Sequence, residues 1–156
     1  MARRRVERAR NGSFRLHLPV EERAVLRSVV GQLRELVVED ACLDDLRRLY
    51  PTAYANDPAA DAEFRAFVHD DLVARRIEAI DTVTATIDEE HLDEDQLGAW
   101  MGVVNDLRLV LGTRLDISEE LDLNAVADDD PEVATFALYS YLSWLLEQMV
   151  EAINPR

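Results

Sequence analysis

Apolar and polar positions alternate by twos near the N-terminus, where Arg15 and His17 separate Phe14, Leu16 and Leu18. That spacing puts three apolar side chains on one face of a β-strand. Asn11 and Gly12 stand just ahead, and such a pair suits a type I′ turn, which needs positive φ at both central residues. A hairpin with a two-residue loop is therefore expected, with Ala9 opposite Phe14 and Arg8 opposite Arg15. Its apolar face would dock on the rest of the protein.

From Pro19 the period becomes helical. Val20, Leu26, Val29, Val30, Leu33, Leu36 and Val37 predict a first helix to about Val38, with Pro19 in its first turn and Glu21 and Glu22 near its positive end. Residues 43–50 read as a shorter helix that Pro51 ends. Asp57 and Pro58 supply the cap and first position of a second long helix, which Phe64, Phe67, Val68, Leu72, Ile77 and Ile80 carry to about Ile87. Asp93 caps a third, from 94 to about 115, bearing Leu97, Trp100, Met101, Val104, Leu107, Leu111 and Leu115. Gly98 and Gly102 share a face of it, which suggests a close helix crossing. Asp130 and Pro131 open a fourth helix, apolar on all sides over 136–150 and so expected to be the most buried; Asn154 and Pro155 stop it. The acidic segment 117–129 has a short helix start at Ser118, followed by Glu119 and Glu120. With no strand pattern after Leu18 and no repeat, the expected fold is all-α: a helical bundle of about four long helices with a short N-terminal β-hairpin. It would form one domain over 1–156, a hairpin arm at 1–18 and a helical body at 19–156.

Charge changes this picture most. The chain carries 32 acidic residues against 17 basic ones, all arginine, for a net charge of −15. Residues 1–15 hold six arginines and one glutamate, so a basic arm precedes a body of net −20. Without lysine there is no Schiff base and no P-loop lysine. The size, 156 residues with 48% apolar content, suffices to bury roughly 70% of the unfolded surface. Cys42 is the single cysteine and cannot form an internal disulfide. The arginine-rich start has no apolar core behind it, and the apolar run near 139–146 falls short of the roughly 20 residues of a bilayer span. A cytoplasmic protein without a membrane segment is expected.

Candidate chemistry is sparse. There is no GxSxG elbow and no GxGxxG after a strand. Glu39, Asp40, Asp44 and Asp45 surround Cys42, and their field disfavours a reactive thiolate. One acidic cluster, Asp88, Glu89, Glu90, His91, Asp93, Glu94 and Asp95, offers oxygen ligands. It lacks the paired Glu-x-x-His of di-iron bundles and the loop glycine of an EF-hand, so capping and solvation explain it better than metal. Asp128, Asp129 and Asp130 read the same way. Direct DNA binding is disfavoured by the acidic body; only Arg3, Arg4, Arg5, Arg8, Arg10 and Arg15 could meet phosphates, and no basic recognition helix follows. In the third helix, Asn105, Asp106 and Arg108 interrupt the apolar run after Trp100. Buried, they would need partners and would clamp two helices; exposed, they would line a groove for a partner.

That stretch, WMGVVNDLRLVLGTRLDI at 100–117, together with RRLYPTAY at 47–54, DAEFR at 61–65 and YLSWLLEQM at 141–149, resembles a family of small acidic actinobacterial proteins catalogued as a domain of unknown function. The resemblance covers nearly the whole chain, and NDLRLVLG is its most specific part. Members are often encoded beside the ClpS proteolytic adaptor. One branch comprises oxidative-stress transcriptional regulators that act through a sigma factor and sense redox state by an internal disulfide. The resemblance implies a regulator rather than an enzyme, and the residues themselves give no reason to expect a cofactor or metal. This sequence has only Cys42, so the disulfide switch does not carry over; either Cys42 is a redox candidate through sulfenic acid or an intermolecular bond, or the protein lacks redox sensing, which the acidic neighbours favour. The expected partner is a protein, such as a sigma factor or other transcription protein. Arg3, Arg4, Arg5, Arg8, Arg10, Trp100, Asn105, Asp106 and Arg108 are the candidate contact residues. Surplus apolar surface would permit a homodimer. The alternative is a metal- or small-ligand-binding bundle using the acidic cluster around His91.

Overall fold

The computed structural model describes residues 4–38, 57–114 and 133–155, the side chains at 61–62, 64–71 and 113–114 excepted. Arg3, Cys42, the short helix expected at 43–50, the acidic segment 117–129 and the cap at 130–131 lie outside the described residues. The protein is mostly helical, with a three-stranded antiparallel sheet at its N-terminus.

Strands β1 (Val6–Arg8) and β2 (Phe14–Leu16) form the expected hairpin in a different register: Val6 faces Leu16, Glu7 faces Arg15 and Arg8 faces Phe14. The loop holds three residues rather than two. Ala9 N–H donates to the Ser13 carbonyl at 2.8 Å, Gly12 N–H to the Ala9 carbonyl at 3.3 Å, and Gly12 takes a φ of +84°. Asn11 Oδ1 accepts from the Ser13 N–H and hydroxyl, so the loop follows the three-residue pattern closed by a left-handed glycine. Burial explains the choice. A one-residue slip swaps faces, and the observed register buries Val6 beside Leu16, where the expected one would have set Glu7 opposite that leucine. It also avoids setting Arg8 directly opposite Arg15.

A third strand corrects the expectation that none follows Leu18. β3 (His91–Leu92) joins the free edge of β2, with Leu92 opposite Phe14 and His91 opposite Arg15. Two residues are too few to show a period.

Helix α1 (Val20–Val38) buries Leu26, Val30, Leu33 and Val37, one stripe at helical spacing. α2 (Pro58–Thr86) starts as expected: Asp57 Oδ1 accepts the Ala60 N–H at 3.2 Å and Pro58 occupies the first turn. α3 (Glu94–Arg114) opens with a reciprocal box in which Asp93 Oδ1 accepts the Gln96 N–H at 2.7 Å and Gln96 Oε1 accepts the Asp93 N–H at 2.9 Å. α4 (Val133–Ile153) completes the set.

Neighbouring helices pack in chain order, α1 on α2, α2 on α3 and α3 on α4, while β1 lies on α4. α3 also touches α1, and this decides which helix is most enclosed. Among the described residues α3 buries Leu97, Trp100, Val103, Val104, Leu107 and Val110. α4 buries only Leu142, Leu145, Met149 and Ala152 and leaves Val150 exposed, contrary to the expectation that it would be the most buried. Its apolar content exceeds what its neighbours cover. The expected close crossing at Gly98 and Gly102 is also absent: both are exposed, and a Cβ built on either meets nothing within 4 Å. The hairpin contributes Val6, Phe14, Leu16 and Leu18 to the same core as the helices.

Candidate functional site

Of the arm's described arginines, Arg5 turns inward, and Arg4 and Arg8 reach α4 while staying exposed. Arg5 Nε bonds Glu22 Oε2 of α1 at 2.7 Å, with both side chains about four-fifths buried, and its guanidinium carbon lies 5.3 Å from the centre of the Trp144 ring. The Arg5 backbone N–H donates to Gln148 Oε1 at 2.6 Å. Arg4 reaches Glu151 at 3.7 Å, and Arg8 sits 5.9 Å from the Phe14 ring with Nη1 donating to the Ile153 carbonyl at 3.4 Å. Arg10 is exposed beside the hairpin loop. Tyr141 of α4 belongs to the same junction; burial, then the negative charge of Glu22, raise its pKa well above the usual phenol value and keep it neutral.

Arg23 was not anticipated. Its Nε donates to the Leu18 carbonyl at 2.9 Å and its Nη2 to the Leu16 carbonyl at 3.2 Å, while Nη1 donates to the carbonyls of Ile87 and Glu89. One guanidinium thus ties β2, the start of α1 and the turn between α2 and β3. The signal existed: position 23 continues the buried stripe of Leu26, Val30, Leu33 and Val37 one turn earlier, where an arginine must find internal partners.

The polar groups of α3 divide. Trp100 is fully buried and its indole N–H donates to Thr86 Oγ1 at 2.8 Å, a core contact with no surface left over. Asp106 Oδ2 meets Arg76 Nη1 of α2 at 2.5 Å, a clamp between the two helices. Burial raises the Asp106 pKa and outweighs the opposing pull of the Arg76 hydrogen bond and charge. Arg108 Nη2 donates to Asn105 Oδ1 at 3.3 Å one turn away, and both are half-buried.

The acidic cluster does not converge. Asp88 holds Arg27 with both carboxylate oxygens at 2.8 and 2.7 Å, Asp93 caps α3, Glu94 and Asp95 lie in that helix's first turn, and His91 is exposed in β3. Among the described residues no three His, Cys, Asp or Glu side chains are placed to hold a metal ion. Among them, too, no helix is long and apolar enough to cross a membrane.

These features define a mostly helical protein whose N-terminal sheet is fastened to its helices by arginine, with no assembled metal centre among the described residues. The chain belongs to the family described as a domain of unknown function (DUF2017), which matches residues 3–153. Proteins of Mycobacterium tuberculosis and Mycobacterium bovis named oxidative stress regulator AosR are 32% identical over 122 residues, covering 76% of this chain and 56% of theirs. The match thus spans little more than half the length of these relatives. A Mycobacterium leprae protein provisionally given the same name is 29% identical over 189 residues, covering 96% of this chain and 87% of that protein. No solved structure matches the chain.

Proposed function

We propose that this chain is a regulator of the oxidative-stress response that works by binding protein partners and not by catalysis. The observation that carries the reading is its kinship with relatives named as oxidative stress regulators. The placement of charge supports the protein-contact part. Arg4, Arg5 and Arg8 make contacts to α1 and α4, while Glu78, Glu89, Glu90, Glu94 and Asp95 remain exposed. Such a surface repels a nucleic-acid backbone and favours a basic protein segment, with fast, salt-sensitive association. In this reading the protein is cytoplasmic, its body is a helical bundle, and its partner is a sigma factor or another transcription protein. Self-association as a homodimer is compatible with that role. Arg4, Arg8 and Arg10 on the arm are exposed and Asn105 and Arg108 on α3 half-buried, so these are the sequence candidates with surface to offer.

The test is affinity capture from native cytoplasm at low and high salt, with identification of what is retained. Recovery of sigma factors or polymerase subunits at low salt alone supports the reading. Capture of no protein at either salt overturns it.

A further inference from the structure

A concavity lined largely by basic side chains opens where the sheet meets the start of α1, beside Arg5 and Arg23. A half-open cavity of about 630 Å³ is lined by Arg5, Arg15, Leu16, His17, Leu18, Pro19, Arg23, Glu90 and His91. Its walls are β2, the start of α1 and the turn leading into β3. That volume falls within the range of small-molecule sites.

Three cations line it, and they differ in what they have left to give. Arg5 is committed to Glu22. Arg23 has given four N–H groups to backbone carbonyls, which satisfy its donors without cancelling its charge; one Nη2–H remains, and no ion pair to a carboxylate forms among the described residues. Arg15 is exposed, projects from the sheet face opposite the buried Phe14 and Leu16, and has no ion pair among the described residues. His17, whose Nε2 lies 3.2 Å from Glu7 Oε2, and His91, opposite Arg15 across the strands, complete the polar part of the lining. Glu90 is the single carboxylate in the lining. A chain of net −15 has therefore folded two arginines without carboxylate partners into one concave site.

We propose that this cavity binds a small phosphate-bearing ligand, with Arg15 as the principal contact and Arg23 supplying fixed positive charge at its base. Arginine favours that chemistry because its planar fork meets a tetrahedral oxyanion with two parallel N–H groups. The site is independent of the regulatory reading and would give the protein a small-molecule input.

The test is titration of the full chain with inorganic phosphate and, separately, with adenosine monophosphate, followed by amide NMR at ionic strength held constant with chloride. Saturable shifts at residues 13–18 and 89–92 are expected. Arg15→Ala should weaken binding about tenfold or more, whereas Arg10→Ala, which removes an equal charge outside the cavity, should change it by less than about twofold. Equal affinity for the two probes makes the phosphate group alone the ligand; tighter binding of the nucleotide assigns the remaining volume to an organic moiety. The proposal is overturned if neither probe saturates, if chloride alone reproduces the shifts, or if Arg10→Ala and Arg15→Ala weaken binding equally. Arg15 is exposed and outside the core, so its loss leaves the fold intact and the comparison readable.

Discussion

Arg5→Ala should destabilise the protein as a core mutation would, although the residue lies in a basic arm. The substitution removes a hydrogen-bonded ion pair whose side chains are only 17% and 21% exposed, and strands Glu22 beside half-buried Tyr141. A hydrogen bond to a charged group of that kind is worth about 1.5–3 kcal/mol. The stacking on Trp144 adds about 0.5–1 kcal/mol, and the two overlap because one guanidinium makes both. The expected loss is about 2.5 kcal/mol, which for this chain length lowers Tm by about 5–10 °C. Urea unfolding measures it, with Arg10→Ala as the exposed control, expected to stay within about 0.5 kcal/mol. A cycle with Glu22→Ala should return a coupling of about 1–2 kcal/mol. If Arg5→Ala matches Arg10→Ala, the arm is not part of the folded core and the account of it given above is refuted.

Other outcomes follow from single features. Gly98→Ala and Gly102→Ala, in exposed helix positions with open space for a methyl group, should each raise stability by about 0.5–1 kcal/mol in thermal melts. Gly12→Ala should cost about 1 kcal/mol, because φ of +84° lies where L side chains are rarely found, and calorimetry will show it. The folded Asp106 carboxyl holds its proton more tightly than the unfolded one. Its contribution to stability is therefore complete below the unfolded value of 3.8 and is lost as pH rises through the raised folded value. Asp106→Asn should remove that decline, seen as a difference between the variant's and the parent's urea midpoints across acidic pH; parallel profiles would contradict it.

What was legible in the sequence depended on where the deciding partner lies. The Asp57 and Asp93 caps could be read because a cap is settled within three residues. The hairpin was visible, but not its register, since the choice between loops turns on burying Val6 against the helices. β3 was hidden because it exists only by pairing with Phe14 and Arg15 far earlier in the chain. Arg23 escaped for the same reason: two of its four carbonyl partners come from residues 87 and 89. The Asp106 clamp was half-read, the need for a partner being evident in an apolar run and its identity as Arg76 not. Trp100 was read as a candidate contact, and only the fold shows its indole spent on Thr86.

The fastening of β1 to α4 sets an order of events during synthesis. Arg5 and Gln148 are 143 positions apart, so β1 leaves the ribosome long before the helix that holds it, and β2 waits for β3. Loop closure over such distances is slow and follows local helix formation. Until then Val6, Phe14 and Leu16 are uncovered beside unpaired strand edges, the features that make a nascent chain sticky. The arginines and the glutamate interleaved with those apolar residues act as gatekeepers, keeping the hairpin segment from associating with other chains before α4 arrives.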